Sequence, residues 1–434
     1  MKTLGLDIGT TTISAVVLDS EAGVLDVLTE SNDSFHNGPA YARIQDPVRI
    51  REIAMASVQK LLERHPNLTA VGVTGQMHGI LYVDSQGQPV SPLYTWQDNR
   101  GQEVREDGRT WAQWMTDVTG YEMATGYGMV THAYNLCHNL VPPEAAAFCT
   151  IADYLAMVLS GQNRPVIDAT NAASLGAYDC RRGMFDTAAL KRAGVGPELL
   201  PVIASNPLLG TGPVGVPVTV GIGDNQASFL GATGGATDAV LINMGTGGQV
   251  SVYTDTYLTT ESMETRPFPD GGWLLVGASL AGGRSYALLE QFFRQVVAMV
   301  QGTSDSVYES MSRALDHAGP VENIPDVITT FMGTRKDPSR RGSISGLGPD
   351  NFTPLHLMYG VMHGMAKELY TMYRSYLDAS GATPTRMIGS GNGLQKNRQL
   401  CRIFEETFGY PLTLSTNQED AACGAARFAA RHAH

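Results

Sequence analysis

The sequence predicts an α/β protein made of two duplicated halves. Three observations predict it: apolar strand-like runs that end in glycine, helical runs between them, and one strand–turn–strand plan that occurs twice. The two copies are "LGLDIGTTTISAVVLD" (4–19) and "VLINMGTGGQVSVYTD" (240–255). Each has an apolar strand carrying Asp or Asn, a Gly-Thr turn followed by small or polar residues, and a second β-branched strand. One such match between short strands can arise by chance. Two copies, each heading its own α/β half, are better explained by duplicated domains facing each other. The boundary is placed in the Gly/Pro-rich "LLGTGPVGVP", giving domains 1–213 and 214–434. A length of 434 residues suits two domains better than one core.

The individual elements follow from local chemistry. "AVGVTGQ" (70–76) and "VPVTVGIG" (216–223) read as buried strands ending at glycine. "DPVRIREIAMASVQKLLERHP" (46–66) reads as a helix: Asp46 caps it, Pro47 fits its first turn and Pro66 stops it. Its stripe of Ile50, Ile53, Ala54, Val58, Leu61 and Leu62 keeps the helical period. "HLMYGVMHGMAKELYTMYRSYLDASG" (356–381) reads as a longer helix that ends at Gly381. The final "EDAACGAARFAARHAH" reads as a small-residue helix made for close packing.

Composition narrows the function classes. The net charge of −12 argues against a nucleic-acid or anionic-membrane partner, yet leaves room for a small phosphate ligand. No apolar run is long enough to span a membrane, and no signal-peptide pattern opens the chain. The five cysteines lie far apart without a CxxC pair, which predicts reduced thiols, no zinc site and a cytoplasmic location.

The Gly-Thr turns have a physical use. A glycine turn brings backbone N–H groups against phosphate oxygens, and threonine hydroxyls add donors. One turn from each domain would grip a nucleoside triphosphate in a cleft between them; two structural hairpins are the alternative. Asp7, ending the first strand, suits Mg²⁺ directly or through water. The Walker pattern GxxxxGK[ST] is absent from the chain.

"DIGTTTIS" and "INMGTGGQV" resemble the two phosphate motifs of the FGGY family of sugar kinases, which have the actin-like ATPase fold of two ribonuclease-H-like domains with an interdomain cleft. Further segments match in order: "QDP" (45–47), "GVTGQMHG" (72–79), "YTWQDNR" (94–100), "GIGDNQAS" (221–228), "GSGNGLQKN" (389–397) and "EDAACGAA" (419–426). Within the family, "TGYG" (125–128), "WQD" and "ETRPFPDGGWLLVGASLAGG" (264–283) resemble the sedoheptulokinase branch, with xylulokinases the nearest competitor.

The resemblance implies an ATP- and Mg²⁺-dependent kinase of a ketose's terminal hydroxyl, sedoheptulose first and xylulose next. Asp224 would be the base, since phosphoryl transfer to an alcohol needs a group that accepts the hydroxyl proton and aligns the oxygen. Thr10, Thr11, Thr12, Gly245 and Thr246 would hold phosphates, and Asp7 would act through the metal. Gly391, with Asn392 and Asn397 as competing registers, would meet the adenosine. A polyol needs several donors and acceptors and one apolar wall. Gln76, His78, Asp98 and Asn225 would supply the first, Met77 and Trp96 the second, with Tyr127 beside them. The basic loop "GTRKDPSRR" (333–341) reads either as a solvated loop or as a cleft-rim attractor of phosphate through Arg335. The expected state is monomer or homodimer. Two other classes compete on this fold: a nucleotide-driven chaperone or filament protein, and a sugar-binding regulator without turnover.

Overall fold

The structure is a computed structural model that describes residues 1–334, 337 and 339–433; Arg335 lies outside the described residues. The chain forms two compact units: residues 1–235 with 266–271 and 417–434, and residues 236–265 with 272–416. Val218–Gly223 and the helix after it therefore stand in the first unit, beyond the turn-rich segment near residue 214. All five cysteines are free thiols. Among the described residues no helix is long and apolar enough to cross a membrane.

In the first unit β1 (Lys2–Ile8), β2 (Thr12–Asp19) and β3 (Gly23–Ser31) form an antiparallel meander. Helix α1 (Pro47–Arg64) leads to β4 (Ala70–Gly75), which pairs parallel with β1. After α2 (Ile151–Leu159) and the short α3 (Ala169–Leu175), β5 (Leu208–Gly210) and β6 (Val218–Gly223) complete a six-stranded sheet in the order β5-β6-β4-β1-β2-β3. Strands β4 and β6 are buried along their whole length, as expected of parallel strands covered on both faces. Helix α4 (Asp224–Ala232) follows β6 without a gap.

The second unit repeats this plan. Strand β7 (Ala239–Met244) pairs antiparallel with β8 (Gly248–Thr254), which pairs antiparallel with β9 (Trp273–Ser279). Helices α5 (Gly282–Gln301) and α6 (Pro354–Ser380) intervene before β10 (Arg386–Ser390), which pairs parallel with β7. Helix α7 (Arg398–Phe408) then leads to β11 (Leu412–Leu414), parallel with β10. Strand for strand, β9-β8-β7-β10-β11 repeats β3-β2-β1-β4-β6, so the duplicated halves expected from the two Gly-Thr hairpins are present. Each is a ribonuclease-H-like α/β domain.

The last helix, α8 (Asp420–His432), belongs to the first unit and shows why its sequence is small-residue rich. A Cβ on Gly5 would lie 1.8 Å from the Ala422 carbonyl oxygen, and one on Gly72 would lie 2.0 Å from that of Ala425. The helix backbone thus rests directly on β1 and β4. The expected caps of α1 also form: Asp46 accepts from the Val48 N–H, and Pro47 sits in the first turn. Helix α6 ends at Gly381, whose φ of +63° is left-handed and suits glycine.

Candidate functional site

Three neighbouring parallel strands of the first unit, β1, β4 and β6, end together. In register, Asp7 lies opposite Thr74, and Thr74 opposite Ile222. Their C-terminal ends therefore carry Asp7, Gln76 and Asp224 to one edge of the sheet. That edge is where parallel α/β sheets bind ligands, because the loops leaving it are free to differ. Asp7 and Asp224 are both partly exposed. Burial raises the Asp7 carboxyl from its ordinary range to about 7, and the negative charges of Asp224 and Glu419 push the same way. Burial also raises Asp224, opposed by a hydrogen bond from Asn225 and the positive charge of Arg266. The edge is thus a patch of excess negative charge. Hard carboxylate oxygens of this kind suit Mg²⁺. Among the described residues no group of three or more His, Cys, Asp or Glu is placed to hold a metal, so water and phosphate oxygens would have to complete its shell.

The first Gly-Thr turn is tied to its surroundings by a chain of hydrogen bonds. The Trp96 indole N–H donates to the Thr10 hydroxyl (3.0 Å), and that hydroxyl donates to Gln76 Oε1 (3.4 Å). Gln76 Nε2 donates to Gln45 Oε1 (2.8 Å), and Gln45 Nε2 returns to the Thr10 carbonyl (2.9 Å). Thr10 is therefore engaged, while Thr11 and Thr12 are exposed at the turn. Gly9 is required there, since a Cβ would meet the Thr12 carbonyl oxygen at 2.8 Å.

His78 adopts φ +73°, an uncommon conformation for a non-glycine residue, and two bonds to Ser174 hold it. Its N–H donates to Ser174 Oγ at 3.2 Å, and Nδ1 lies 2.7 Å from the Ser174 carbonyl oxygen. A carbonyl only accepts, so Nδ1 carries a proton. The ring stacks on Tyr127 at 4.6 Å and 5°. Gly126, beside Tyr127, packs on the Trp96 backbone, where a Cβ would lie 2.0 Å from the Trp96 carbonyl oxygen. Trp96 keeps 46% of its surface exposed, whereas Met77 is buried and lies 3.7 Å from Asn225 Nδ2. The same Asn225 nitrogen donates to Asp224 Oδ1 at 2.8 Å.

Asp98 departs from the sequence expectation of an open sugar ligand. It is fully buried, and both its oxygens are occupied. Oδ1 accepts from Arg100 N and Nε, and Oδ2 from Arg43 N and Arg100 Nη2. Four donors fill the acceptor positions of a carboxylate, so Asp98 pins the Trp96 loop and has none left for a sugar.

In the second unit, Gly245 and Thr246 are exposed at the β7–β8 turn. The turn is braced by the start of α5: Gly283 N–H donates to the Gly245 carbonyl and Arg284 N–H to that of Thr246. Gly391, at φ +87°, crosses closely over this turn, where a Cβ would lie 2.6 Å from the Met244 carbonyl oxygen. Asn392 follows it and is exposed. Asn397 is spent elsewhere: its Oδ1 caps α7 at Leu400 N–H (3.0 Å), and its Nδ2 meets Met362 Sδ. Of the two competing registers, only Asn392 leaves its side chain at the turn.

Sequence reasoning missed Gln45, Glu419 and Arg266. Gln45 stood in "QDP" as the start of a helix, and an amide so close to a cap gives no other sign. Glu419 opens "EDAACGAA", a segment whose sequence shows only a closing helix. Arg266 lies in "ETRPFPDGG", and nothing in its spacing points to the Asp224 carboxyl.

Comparison with known proteins identifies the family. The N-terminal domain of the FGGY family of carbohydrate kinases matches residues 2–231, and its C-terminal domain matches residues 240–433. The chain is 28% identical to the sedoheptulokinase of Mus musculus and 29% to that of Homo sapiens, each over 98% of this chain and 96% of the relative. The crystal structure of xylulose kinase from Rhodospirillum rubrum superposes with a TM-score of 0.83 at 21% identity, over 100% of this chain and 91% of the other. The chain belongs to the FGGY family of carbohydrate kinases, and is a phosphotransferase whose acceptor is a sugar hydroxyl.

Proposed function

We propose that the chain transfers the γ-phosphoryl group of ATP to the terminal hydroxyl of sedoheptulose, giving ADP and sedoheptulose 7-phosphate. The observation that carries the acceptor is the 28–29% identity to two sedoheptulokinases along nearly the whole chain. A xylulose kinase at 24% identity makes xylulose the competing acceptor.

Asp224 is assigned as the base. It takes the proton of the sugar hydroxyl as the new O–P bond forms and the bond to the ADP oxygen breaks. Burial raises its affinity for that proton, which suits a base working near neutrality. Asn225 holds one of its oxygens, which favours presenting the other to the hydroxyl. The exposed Thr11 and Thr12 hydroxyls, with the turn N–H groups, are assigned to phosphate. Gly245, Thr246, Gly391 and Asn392 are assigned to the nucleotide in the second unit. Trp96 is the apolar wall, and His78 Nε2 and Asn225 are polar contacts for the sugar. Asp7 is the residue that would hold Mg²⁺, which supplies charge neutralisation of the phosphates.

The test is ADP release with Mg²⁺-ATP against sedoheptulose, xylulose, ribulose, fructose, glycerol and no acceptor, with Asp224→Ala beside the wild type. Sedoheptulose is expected to give the highest kcat/KM, and the variant to abolish turnover. A higher value for xylulose would transfer the assignment to that sugar. ATP binding with no acceptor-dependent turnover would sink it.

A further inference from the structure

We infer that α3 is a positioning element that holds the proposed base and the proposed sugar loop in fixed relation; this rests on the assignment of Asp224 and His78 above. The helix is only seven residues long, and three of its polar side chains are turned inward. Thr170, Asn171 and Ser174 are 1%, 0% and 6% exposed. Buried polar groups cost free energy unless each is paired, so where they pair shows what they do.

The first two grip the end of β6. Thr170 Oγ1 accepts from the Gly223 N–H at 2.9 Å, and the same hydroxyl donates to Asp168 Oδ1 at 2.6 Å. Asp168 is the N-cap of α3 and also accepts from the Thr170 N–H. A hydroxyl donating to a carboxylate is a stronger acceptor for the next donor, so the relay from Asp168 through Thr170 tightens its hold on Gly223. Asn171 Nδ2 donates to the Gly221 carbonyl at 3.1 Å. Gly223 is the residue before Asp224, and its φ and ψ set the direction in which the Asp224 side chain leaves the strand. One turn further on, Ser174 holds both the N–H and the ring of His78. Its hydroxyl donates back to the Asn171 carbonyl at 2.7 Å. A single helix therefore fixes the Gly223–Asp224 step at one end and the strained His78 at the other.

Steady-state kinetics of Thr170→Val, Thr170→Ser and Ser174→Ala test this, each variant being checked by thermal melting. Thr170→Val keeps the volume but cannot accept from Gly223. Its kcat is expected to fall by about tenfold or more, with both KM values within about twofold of wild type. Thr170→Ser is expected to recover most of that loss. Ser174→Ala acts at the other end and is expected to raise the ketose KM by about fivefold while the ATP KM stays put. Should Thr170→Val fail to fold, Thr170→Ala is judged by the same split. Wild-type kcat in the valine variant, no recovery in the serine variant, or equal loss in kcat and both KM values overturns the inference. With Asp224→Ala inactive, those results count against α3 alone. Activity retained in Asp224→Ala, or no acceptor-dependent turnover in the wild type, overturns the reading of the base as well.

Discussion

The Trp96 indole N–H donates to the Thr10 hydroxyl at 3.0 Å, joining two loops that lie 86 positions apart. The sequence assigned these loops to different ligands, one to sugar and one to phosphate. Thr10, Gln76 and Gln45 close one hydrogen-bonded ring, and Trp96 donates into it.

Trp96→Phe keeps an aromatic wall and removes only the N–H. With Thr10 released, KM is expected to rise for both ATP and the sugar acceptor, by about three- to tenfold each for one lost hydrogen bond. Initial rates with each substrate varied in turn check this. A rise confined to the sugar acceptor would show that the ring of hydrogen bonds does not couple the loops.

The negative patch at the sheet edge opposes stability. Burial and like charge raise the Asp7 carboxyl, and burial raises Asp224, so ionising either costs the folded state more than the unfolded one. Asp224→Asn is expected to lower kcat by about 10²–10⁴. Its melting temperature at pH 8 is expected to equal or exceed that of the wild type, because an unfavourable charge has gone. Calorimetry beside the kinetics separates these effects, and a clear drop in melting temperature would contradict the electrostatic account.

The Asp98–Arg100 pair should behave in the opposite way. Arg100 is buried, lies 4.1 Å from the Tyr94 ring centroid, and also donates to Asn135. Arg100→Met leaves Asp98 as an unpaired buried charge and is expected to cost about 3–5 kcal/mol in urea unfolding. Arg100→Lys loses the planar fork and is expected to recover only part of that. Adding Asp98→Asn to Arg100→Met should restore stability relative to Arg100→Met alone.

Much of this architecture was legible because local and global signals agree. The Gly-Thr hairpins, the Asp46–Pro47 helix start and the Gly381 stop each rest on backbone chemistry that a sequence displays directly. Side-chain partnership was less legible. Asp98 looked like a sugar ligand because sequence shows a carboxylate but not that the arginine two residues later folds back onto it. The segment "ATNAAS" looks like an ordinary helix start, and nothing in it shows that Thr170 and Asn171 reach a strand more than 45 positions away. Asn392 and Asn397 look alike in the sequence, and only the fold shows that Asn397 caps a helix.

Asp153 offers a pH test away from the sheet edge. It is fully buried in α2, and burial raises its carboxyl to about 7 against the bonds it accepts from Thr150 and Asn171. Between its ordinary value near 3.8 and 7, the folded state therefore holds a proton that the unfolded state has released. Stability from this group is full below that window and is lost as pH rises through it. Asn cannot titrate, so Asp153→Asn should remove this slope, although it forfeits one of the bonds to Thr150. Relative to wild type the variant should be less stable at pH 5, and the gap should close by the order of 2 kcal/mol by pH 8. Urea midpoints at the two pH values decide the matter. A constant gap would mean that Asp153 stays ionised in the folded protein, held so by Thr150 and Asn171.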